Sequence, residues 1–141
     1  MSEHPFGTSI TATDVIGTMS NFRSWEDKYR QVIQWGKLLP KMDESLKSEN
    51  QLVSGCESKV WLQAEFDGQQ WHFNIDSDAR IVRGLIAIVL AAFHNQTTES
   101  IQEFDTENYF NQLGLVEHLS PSRGNGLRAI VEQIKTVTLE K

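Results

Sequence analysis

Alternating apolar and polar residues in the middle of the chain constrain the fold more than any other feature of the sequence. The alternation runs over residues 60–66 and again over 71–76, and Asp67-Gly68 stands between the two runs. Asp-Gly is a preferred hairpin turn, and strict alternation gives each strand one apolar face. The pattern therefore predicts an antiparallel hairpin, covered on one side by another element that buries its apolar face.

Helical patterns precede the hairpin. Thr11 or Thr13 is placed to cap a short helix, and Ser24 to cap a second helix that ends before Pro40. Such side chains accept hydrogen bonds from the first free N–H groups of a helix. Residues 41–50 are polar and predict a loop with at most one helical turn.

Helical patterns also follow the hairpin. Asp78 is predicted to cap a helix over residues 79–93, which is apolar enough to be central to the core. Two short helices come next, the second beginning at Asp105 or Thr106, and Ser120-Pro121 is a strong start for a last helix. The predicted fold class is α+β, with a small antiparallel β-sheet packed against several helices.

Length and composition predict one domain. No repeat and no glycine-, serine- or proline-rich linker divides the 141 residues, so we expect a single domain over 1–141 with a loose arm over 1–9. The longest uncharged apolar stretch, residues 84–93, is too short to cross a bilayer. The first residues lack the basic and apolar regions of a signal peptide. We therefore expect a cytoplasmic protein that does not enter a membrane.

The charge balance argues against nucleic acid as a partner. Thirteen basic and nineteen acidic residues give a net charge of −6. Binding to a phosphate backbone depends on basic residues that displace counterions. We therefore expect no direct contact with nucleic acid, and the ordinary composition is compatible with a monomer.

The single cysteine, Cys56, is the sharpest candidate for chemistry. One cysteine excludes a disulfide within the chain, an all-cysteine zinc site and a cysteine-held iron–sulfur cluster. Gly55 would let a short loop present the sulfur at its tip, since glycine adopts backbone angles closed to other residues. The residues leave two interpretations nearly balanced, a small buried hydrophobe and a reactive thiolate. Lys59 and Arg123 are candidates for the positive charge that a thiolate needs.

Three further patterns admit both a structural and a functional interpretation. Asp76-Ser77-Asp78 is either a carboxylate pair for a hard cation or, more simply, a strand end, a turn and a helix cap. Arg123 stands among glycines at a helix start and is expected to pair either with a carboxylate inside the fold, such as Asp78, or with a partner protein. The four histidines lack zinc-ligand spacing, so we assign them packing or surface roles and predict no metal site.

These motifs together resemble the SufE family of sulfur-acceptor proteins. The resemblance is carried by Val53-Ser54-Gly55-Cys56-Glu57-Ser58-Lys59-Val60-Trp61, by Asp76-Ser77-Asp78-Ala79-Arg80-Ile81-Val82-Arg83-Gly84-Leu85, and by Leu119-Ser120-Pro121-Ser122-Arg123 with Gly126-Leu127. It covers almost the whole chain. The opening His4-Pro5-Phe6-Gly7-Thr8 is most similar to the CsdE branch of that family.

The resemblance implies a fold similar to the scaffold IscU and a role for Cys56 as the acceptor that becomes a persulfide. Gly55, Ser58, Asp78 and Arg123 would support this acceptor or dock a partner. The chain has one cysteine where a cluster scaffold needs several ligands, so it is expected to carry sulfur and not to build clusters. We expect it to hold no cofactor and not to be an enzyme in its own right.

The resemblance also implies the partners. A pyridoxal-phosphate cysteine desulfurase, similar to CsdA or SufS, would supply the sulfur and would be stimulated by its removal. A SufBCD-type scaffold in iron–sulfur cluster assembly, or a CsdL-like protein linked to tRNA modification, would receive it. An alternative keeps the desulfurase as the partner but makes this chain a non-covalent allosteric activator, with Cys56 incidental.

Overall fold

Six α-helices and a two-stranded antiparallel sheet make up the part of the chain that the computed structural model describes, residues 4–48, 52–53 and 58–139. In chain order they are α1 (Ala12–Ser20), α2 (Trp25–Lys37), β1 (Val60–Phe66), β2 (Trp71–Ser77), α3 (Arg80–Phe93), α4 (Thr98–Glu103), α5 (Thr106–Leu113) and α6 (Pro121–Leu139). Short 3-10 turns span Glu44–Leu46 and Val116–His118. The predicted α+β class, a small hairpin among helices, is confirmed.

Side-chain caps fix most helix starts where the sequence predicts them. Thr11 accepts from the N–H of Asp14 at 3.4 Å, while the Asp14 carboxylate accepts from the N–H of Thr11 at 2.9 Å. Two otherwise free donors are thereby satisfied, and Ser24 caps α2 through the N–H of its third helical residue. The predicted Asp78 cap is wrong. α3 begins one residue later, and Ala79 occupies the cap position without a side-chain bond.

The hairpin is confirmed, and α3 is its main support. Val60 pairs with Ser77 at one end and Phe66 with Trp71 at the other, and the Asp67 carboxylate closes the turn by accepting from two backbone N–H groups at 2.9 and 2.8 Å. β2 lies against α3, which is buried along most of its length. None of the helices within the described ranges has the length and hydropathy of a membrane span.

The polar face of the hairpin is covered at one end, which the sequence does not predict. Asp76 belongs to the polar set of β2, yet its exposed fraction is 1%. The connection that follows α2 crosses this end, and the N–H of Met42 donates to Asp76 Oδ2 at 2.9 Å. The prediction of a sheet covered on one side therefore fails here, because a long connection supplies a second cover.

Two glycines allow α2 and α3 to approach closely. A Cβ on Gly84 would lie 2.3 Å from the carbonyl oxygen of Val32, and a Cβ on Gly36 would lie 2.8 Å from the backbone nitrogen of Gly84. A close-packed interior cannot absorb overlaps of this size, so the crossing accepts no side chain at either position. The last turn of α2 consequently comes beside the beginning of α3.

The N-terminal arm is packed where it is described. Phe6 is fully buried, Phe6 and Ile10 form an isolated bridge, and the ring centroids of His4 and His94 are 4.5 Å apart. The sequence predicts a loose arm over 1–9, whereas residues 4–9 are held because Phe6 adds its apolar side chain to the core. Residues 1–3 lie outside the described residues.

Candidate functional site

Cys56 and Gly55 lie outside the described residues, but both ends of the segment that carries them are fixed. The chain is described up to Val53 and again from Ser58. Val53 is buried, and its N–H donates to the carbonyl oxygen of Val60 at 2.9 Å. Val53, the last described residue before Cys56, is therefore bonded to the residue that becomes the first of β1.

Ser77 holds the chain where it returns from the cysteine segment. Its hydroxyl donates to the carbonyl oxygen of Lys59 at 2.7 Å, and its hydroxyl oxygen accepts from the N–H of Ala79 at 3.2 Å. One serine side chain thus joins the end of β2 to Lys59, just before β1, and to Ala79, just before α3. The predicted turn after β2 is present, and its side-chain bond comes from Ser77, which accepts from the N–H of the cap residue Ala79.

A pocket of about 360 Å³ lies beside Ser58. Three elements, β1, α3 and α6, supply its apolar lining, and the residues before and at the start of α6 supply most of the polar lining. The apolar residues are Val60, Val82, Leu85, Leu127 and Ile130, and the others are Ser58, Ser120, Ser122, Arg123 and Gly126. An apolar cavity with a few convergent polar groups is the usual form of a small-ligand site.

The way in which α6 begins places Arg123 on this pocket. Ser120 Oγ accepts from the N–H of Arg123 at 3.3 Å, and Pro121 is the first helical residue, as the sequence predicts. Arg123 is exposed and lines the pocket from the first turn of α6. No carboxylate of residues 4–48, 52–53 or 58–139 forms an ion pair with its guanidinium.

Asp78 does not pair with Arg123. It is exposed and lines a different groove, the one between α2 and the beginning of α3. No ion pair joins the two side chains in the described part of the chain. The predicted pair between Arg123 and Asp78 is therefore wrong. Pairing of Arg123 with a partner protein stays a prediction.

Asp76 is the charged residue whose role sequence reasoning missed. It forms a buried ion pair with Arg83, accepts from the N–H of Met42 at 2.9 Å and lies 3.7 Å from Lys47 Nζ. Arg83 in turn donates to the carbonyl oxygen of Leu39 at 2.6 Å. These bonds tie the connection after α2 to the corner between β2 and α3.

The cation-binding interpretation of Asp76 and Asp78 is wrong for the same reason. The Asp76 carboxylate is already neutralised by Arg83 and Lys47, and Asp78 is exposed to solvent. The sequence did contain a signal. Arg83 interrupts an otherwise apolar stretch of α3, and a largely buried arginine requires an acidic partner.

Three of the four histidines pack together at the opposite end of the hairpin. The ring centroids of His72 and His94 are 5.4 Å apart, and the N–H of Phe73 donates to His94 Nδ1 at 3.0 Å. Burial, with His4 and His72 nearby, lowers the pKa of His94 to about 4. Within the described residues, no group of three or more His, Cys, Asp or Glu side chains is arranged to hold a metal ion.

Both the sequence and the fold are similar to those of known proteins. The sequence model of the family described as "SufE: Fe-S metabolism associated domain" matches residues 13–138. The "Sulfur acceptor protein CsdE" of Escherichia coli (strain K12) is 42% identical over 136 residues, which cover 96% of this chain and 92% of CsdE. An uncharacterised SufE-like protein of Rhizobium meliloti (strain 1021) is 42% identical over 132 residues, 90% of this chain and 94% of that protein.

A solved structure shares the fold at low sequence identity. The solution structure of a hypothetical protein from Thermus thermophilus matches with a TM-score of 0.75 and 14% identity, covering 92% of this chain and 93% of that one. This likeness supports the arrangement of helices around a small antiparallel hairpin.

Proposed function

Because this chain belongs to the SufE family, we propose that it accepts sulfur from a cysteine desulfurase and carries it as a persulfide on Cys56. It also stimulates the desulfurase and passes the sulfur to iron–sulfur cluster assembly or to a partner linked to tRNA modification. One observation carries the proposal. The pocket that contains Arg123 is also lined by Ser58, which follows the only cysteine in the sequence by two residues.

Persulfide transfer needs one accessible thiolate and a docked partner. The Cys56 thiolate attacks the outer sulfur of the desulfurase persulfide and forms a new S–S bond with it. The old S–S bond breaks, and the desulfurase cysteine leaves as a thiolate. One sulfur atom changes partner without net oxidation, so the step needs no electron acceptor. The pyridoxal phosphate that produces the donor persulfide belongs to the desulfurase.

Arg123 is suited to hold sulfur in its anionic form. A positive charge near a cysteine favours the thiolate, which is the nucleophile. The guanidinium is exposed on the pocket and is not paired with a carboxylate in the described ranges. Ser58, Ser120 and Ser122 add hydroxyl donors to the same pocket. These four polar side chains therefore assist the acceptor, while Gly55 gives its loop the required freedom.

The apolar half of the pocket would protect the carried sulfur. An exposed persulfide is open to attack by free thiols. Val60, Leu85 and Leu127 offer an apolar surface that is largely removed from water. In the proposal, the sulfur lies against this surface in the free protein and turns outward when the desulfurase docks. Equal reactivity of Cys56 toward a soluble alkylating reagent, with and without the desulfurase, would contradict this part.

Intact mass tests the carrier role directly. The wild-type protein and Cys56→Ser are incubated with a cysteine desulfurase and L-cysteine, and each is measured before and after reductant. We expect added sulfur on the wild type only, removed by reductant. Added sulfur on neither protein, with the desulfurase still stimulated by both, would favour the allosteric activator instead.

Two further expectations belong to the proposal. A lone thiol that must stay available requires a reducing compartment, which supports the cytoplasm as the site of action. A carrier that meets two partners in turn needs no second copy of itself, so we expect a monomer, and sedimentation velocity would show it. Asp78, which lines the groove beside the entry to α3, is expected to contribute to docking and not to the acceptor pocket.

A further inference from the structure

Two adjoining surface grooves run along α2 and meet at the beginning of α3, and together we call them the α2 groove. Their volumes are about 800 and about 510 Å³, and both are lined by Ile33, Lys37 and Arg80. The first begins at Trp25 in the first turn of α2. The second continues to Ser77 at the end of β2. The α2 groove thus reaches from the start of α2 to the corner where Ser77 bonds to Lys59.

The α2 groove is positive, although the chain as a whole carries a net charge of −6. Six of the thirteen basic residues line it, against four acidic ones. The basic residues are Arg30, Lys37, Lys41, Lys47, Arg80 and Arg83, and the acidic ones are Glu26, Glu44, Asp76 and Asp78. Nearly half of the basic residues of this acidic protein therefore line one surface.

Three of these cations are not paired with a carboxylate of the described residues. Lys37, Lys41 and Arg80 are exposed, and none of them forms an ion pair with a carboxylate that the structure describes. Arg80 is moreover the first residue of α3, where the helix dipole makes a positive charge unfavourable. These charges are available to an acidic partner, unlike those of Arg83 and Lys47, which neutralise Asp76.

Apolar and aromatic side chains lie among the charges. Tyr29 lines the groove and is 39% exposed, and Leu38, next in the chain to the groove residue Lys37, is 50% exposed. Trp25 and Ile33 are half-buried in the wall of the groove. Exposed aromatic side chains beside arginine are typical of the residues that dominate protein interfaces. The charges select a partner surface that is acidic, because like charges placed together cost binding energy.

We propose that the α2 groove docks an acidic surface segment of the sulfur-donating cysteine desulfurase, an inference that rests on the proposed function. The groove is lined by Ser77, whose hydroxyl donates to the carbonyl oxygen of Lys59 at 2.7 Å. A protein seated in the groove is therefore adjacent to the chain that returns from Cys56. The α2 groove captures the desulfurase, and the Arg123 pocket receives the sulfur.

A titration of the desulfurase with charge-reversal variants tests the docking role. Lys37→Glu, Arg80→Glu and the double variant are compared with the wild type for the concentration that gives half-maximal stimulation of alanine release from L-cysteine. We expect roughly a threefold rise for each single variant and roughly tenfold for the double, with the same maximum. Added salt should shrink these differences.

The control is Arg128→Glu, which makes the same change of charge at an exposed arginine of α6 that lies outside the groove and pairs with Glu107. We expect less than about a twofold change. An equal shift in the control would assign the effect to net charge and overturn the proposal. No shift in any groove variant, or a lower maximum with an unchanged half-saturating concentration, would overturn it as well. Urea unfolding of each variant verifies that the fold is intact.

Calorimetric binding of Cys56→Ser to the desulfurase separates this inference from the proposed function. One outcome is that the wild type takes up no sulfur, while groove substitutions made in Cys56→Ser still weaken its binding to the desulfurase. That outcome supports the docking proposal and contradicts the carrier role. The other outcome is that the wild type takes up sulfur, while groove substitutions leave the affinity for the desulfurase unchanged. That outcome contradicts the docking proposal and supports the carrier role. Self-association that the groove variants abolish would make a second copy the occupant and overturn the assignment to the desulfurase.

Discussion

Two charged corners of the described structure use charge in opposite ways. At the first corner, Asp76 is buried and pairs with Arg83 and Lys47. At the second, Arg123 is exposed on the pocket, and no carboxylate of the described ranges pairs with it. The first corner therefore supports the fold, and the second is available to a ligand or a partner.

The difference follows from the cost of removing charge from water. A buried ion must be matched by an opposite charge and by hydrogen bonds, because the loss of hydration costs several kcal/mol for each ion. An exposed ion keeps its hydration, and its pairing contributes little to stability. Mutations at the first corner should therefore change stability, and mutations at the second should change sulfur uptake.

Asp76→Asn should have the largest effect on stability. The substitution keeps the shape of the side chain but removes the charge that matches Arg83. We expect the free energy of unfolding to fall by about 3 kcal/mol, because breaking a buried pair leaves its partner uncompensated. Urea denaturation followed by tryptophan fluorescence measures the loss. The control is Asp78→Asn at an exposed position, expected to change stability by less than about 0.5 kcal/mol. Equal losses of stability in the two variants would contradict the proposed difference between buried and exposed charge.

A second, smaller effect depends on pH and arises far from both corners. Burial and the neighbouring His4 and His72 lower the pKa of His94 from 6.5 to about 4 in the folded protein. Between these values the unfolded state binds more protons, so stability rises as the pH increases from 4 to 6.5 and then levels off. We expect protonation of His94 to lower the free energy of unfolding by roughly 1–2 kcal/mol when the pH falls from 7 to 4, after allowance for the partial exposure of the side chain.

His94→Asn tests the origin of this pH dependence. The Asn side-chain oxygen can replace the ring nitrogen that accepts from the N–H of Phe73, while the titrating group is lost. Denaturation midpoints between pH 4 and 7 should then vary less than in the wild type. An unchanged profile would assign the acid sensitivity to other groups.

Arg123→Ala should have the smallest effect on stability and a clear effect on sulfur uptake. The side chain is exposed, so the free energy of unfolding should change by less than about 0.5 kcal/mol. Single-turnover intact-mass measurements should show sulfur uptake slowed roughly tenfold, because the proposal assigns Arg123 as the cation that favours the thiolate. Arg123→Lys should recover part of the rate, since it keeps the charge but not the planar fork. Unchanged uptake in Arg123→Ala would remove this residue from the site.

Local signals in the sequence predicted local structure correctly. Thr11 and Ser24 cap helices, and Asp67 closes the hairpin turn, through hydrogen bonds to residues two or three positions away. Such bonds depend on spacing along the chain, which the sequence states directly. The Ser120-Pro121 start of α6 belongs to the same class and correctly predicts the first turn that carries Arg123.

Predictions that depended on distant contacts were less successful. Two such predictions were wrong. The N-terminal arm is not loose where it is described, because Phe6 joins the core, and the polar face of the hairpin is not free, because Met42 binds Asp76 there. The partner of Asp76 was missed although Arg83 is only seven positions away. The choice between Arg83 and a cation depended on the connection after α2, which buries the carboxylate.

The sequence by itself determined the helices, the hairpin, the α+β class, the family motifs and the position of the one thiol at Cys56. The tertiary structure decided which charges meet: it pairs Asp76 with Arg83 and keeps Asp78 apart from Arg123. It also gathered Lys37, Lys41 and Arg80 along one groove. The physical reason is that capping and turn bonds are set by chain spacing, whereas the environment of a charge is set by the elements that pack around it.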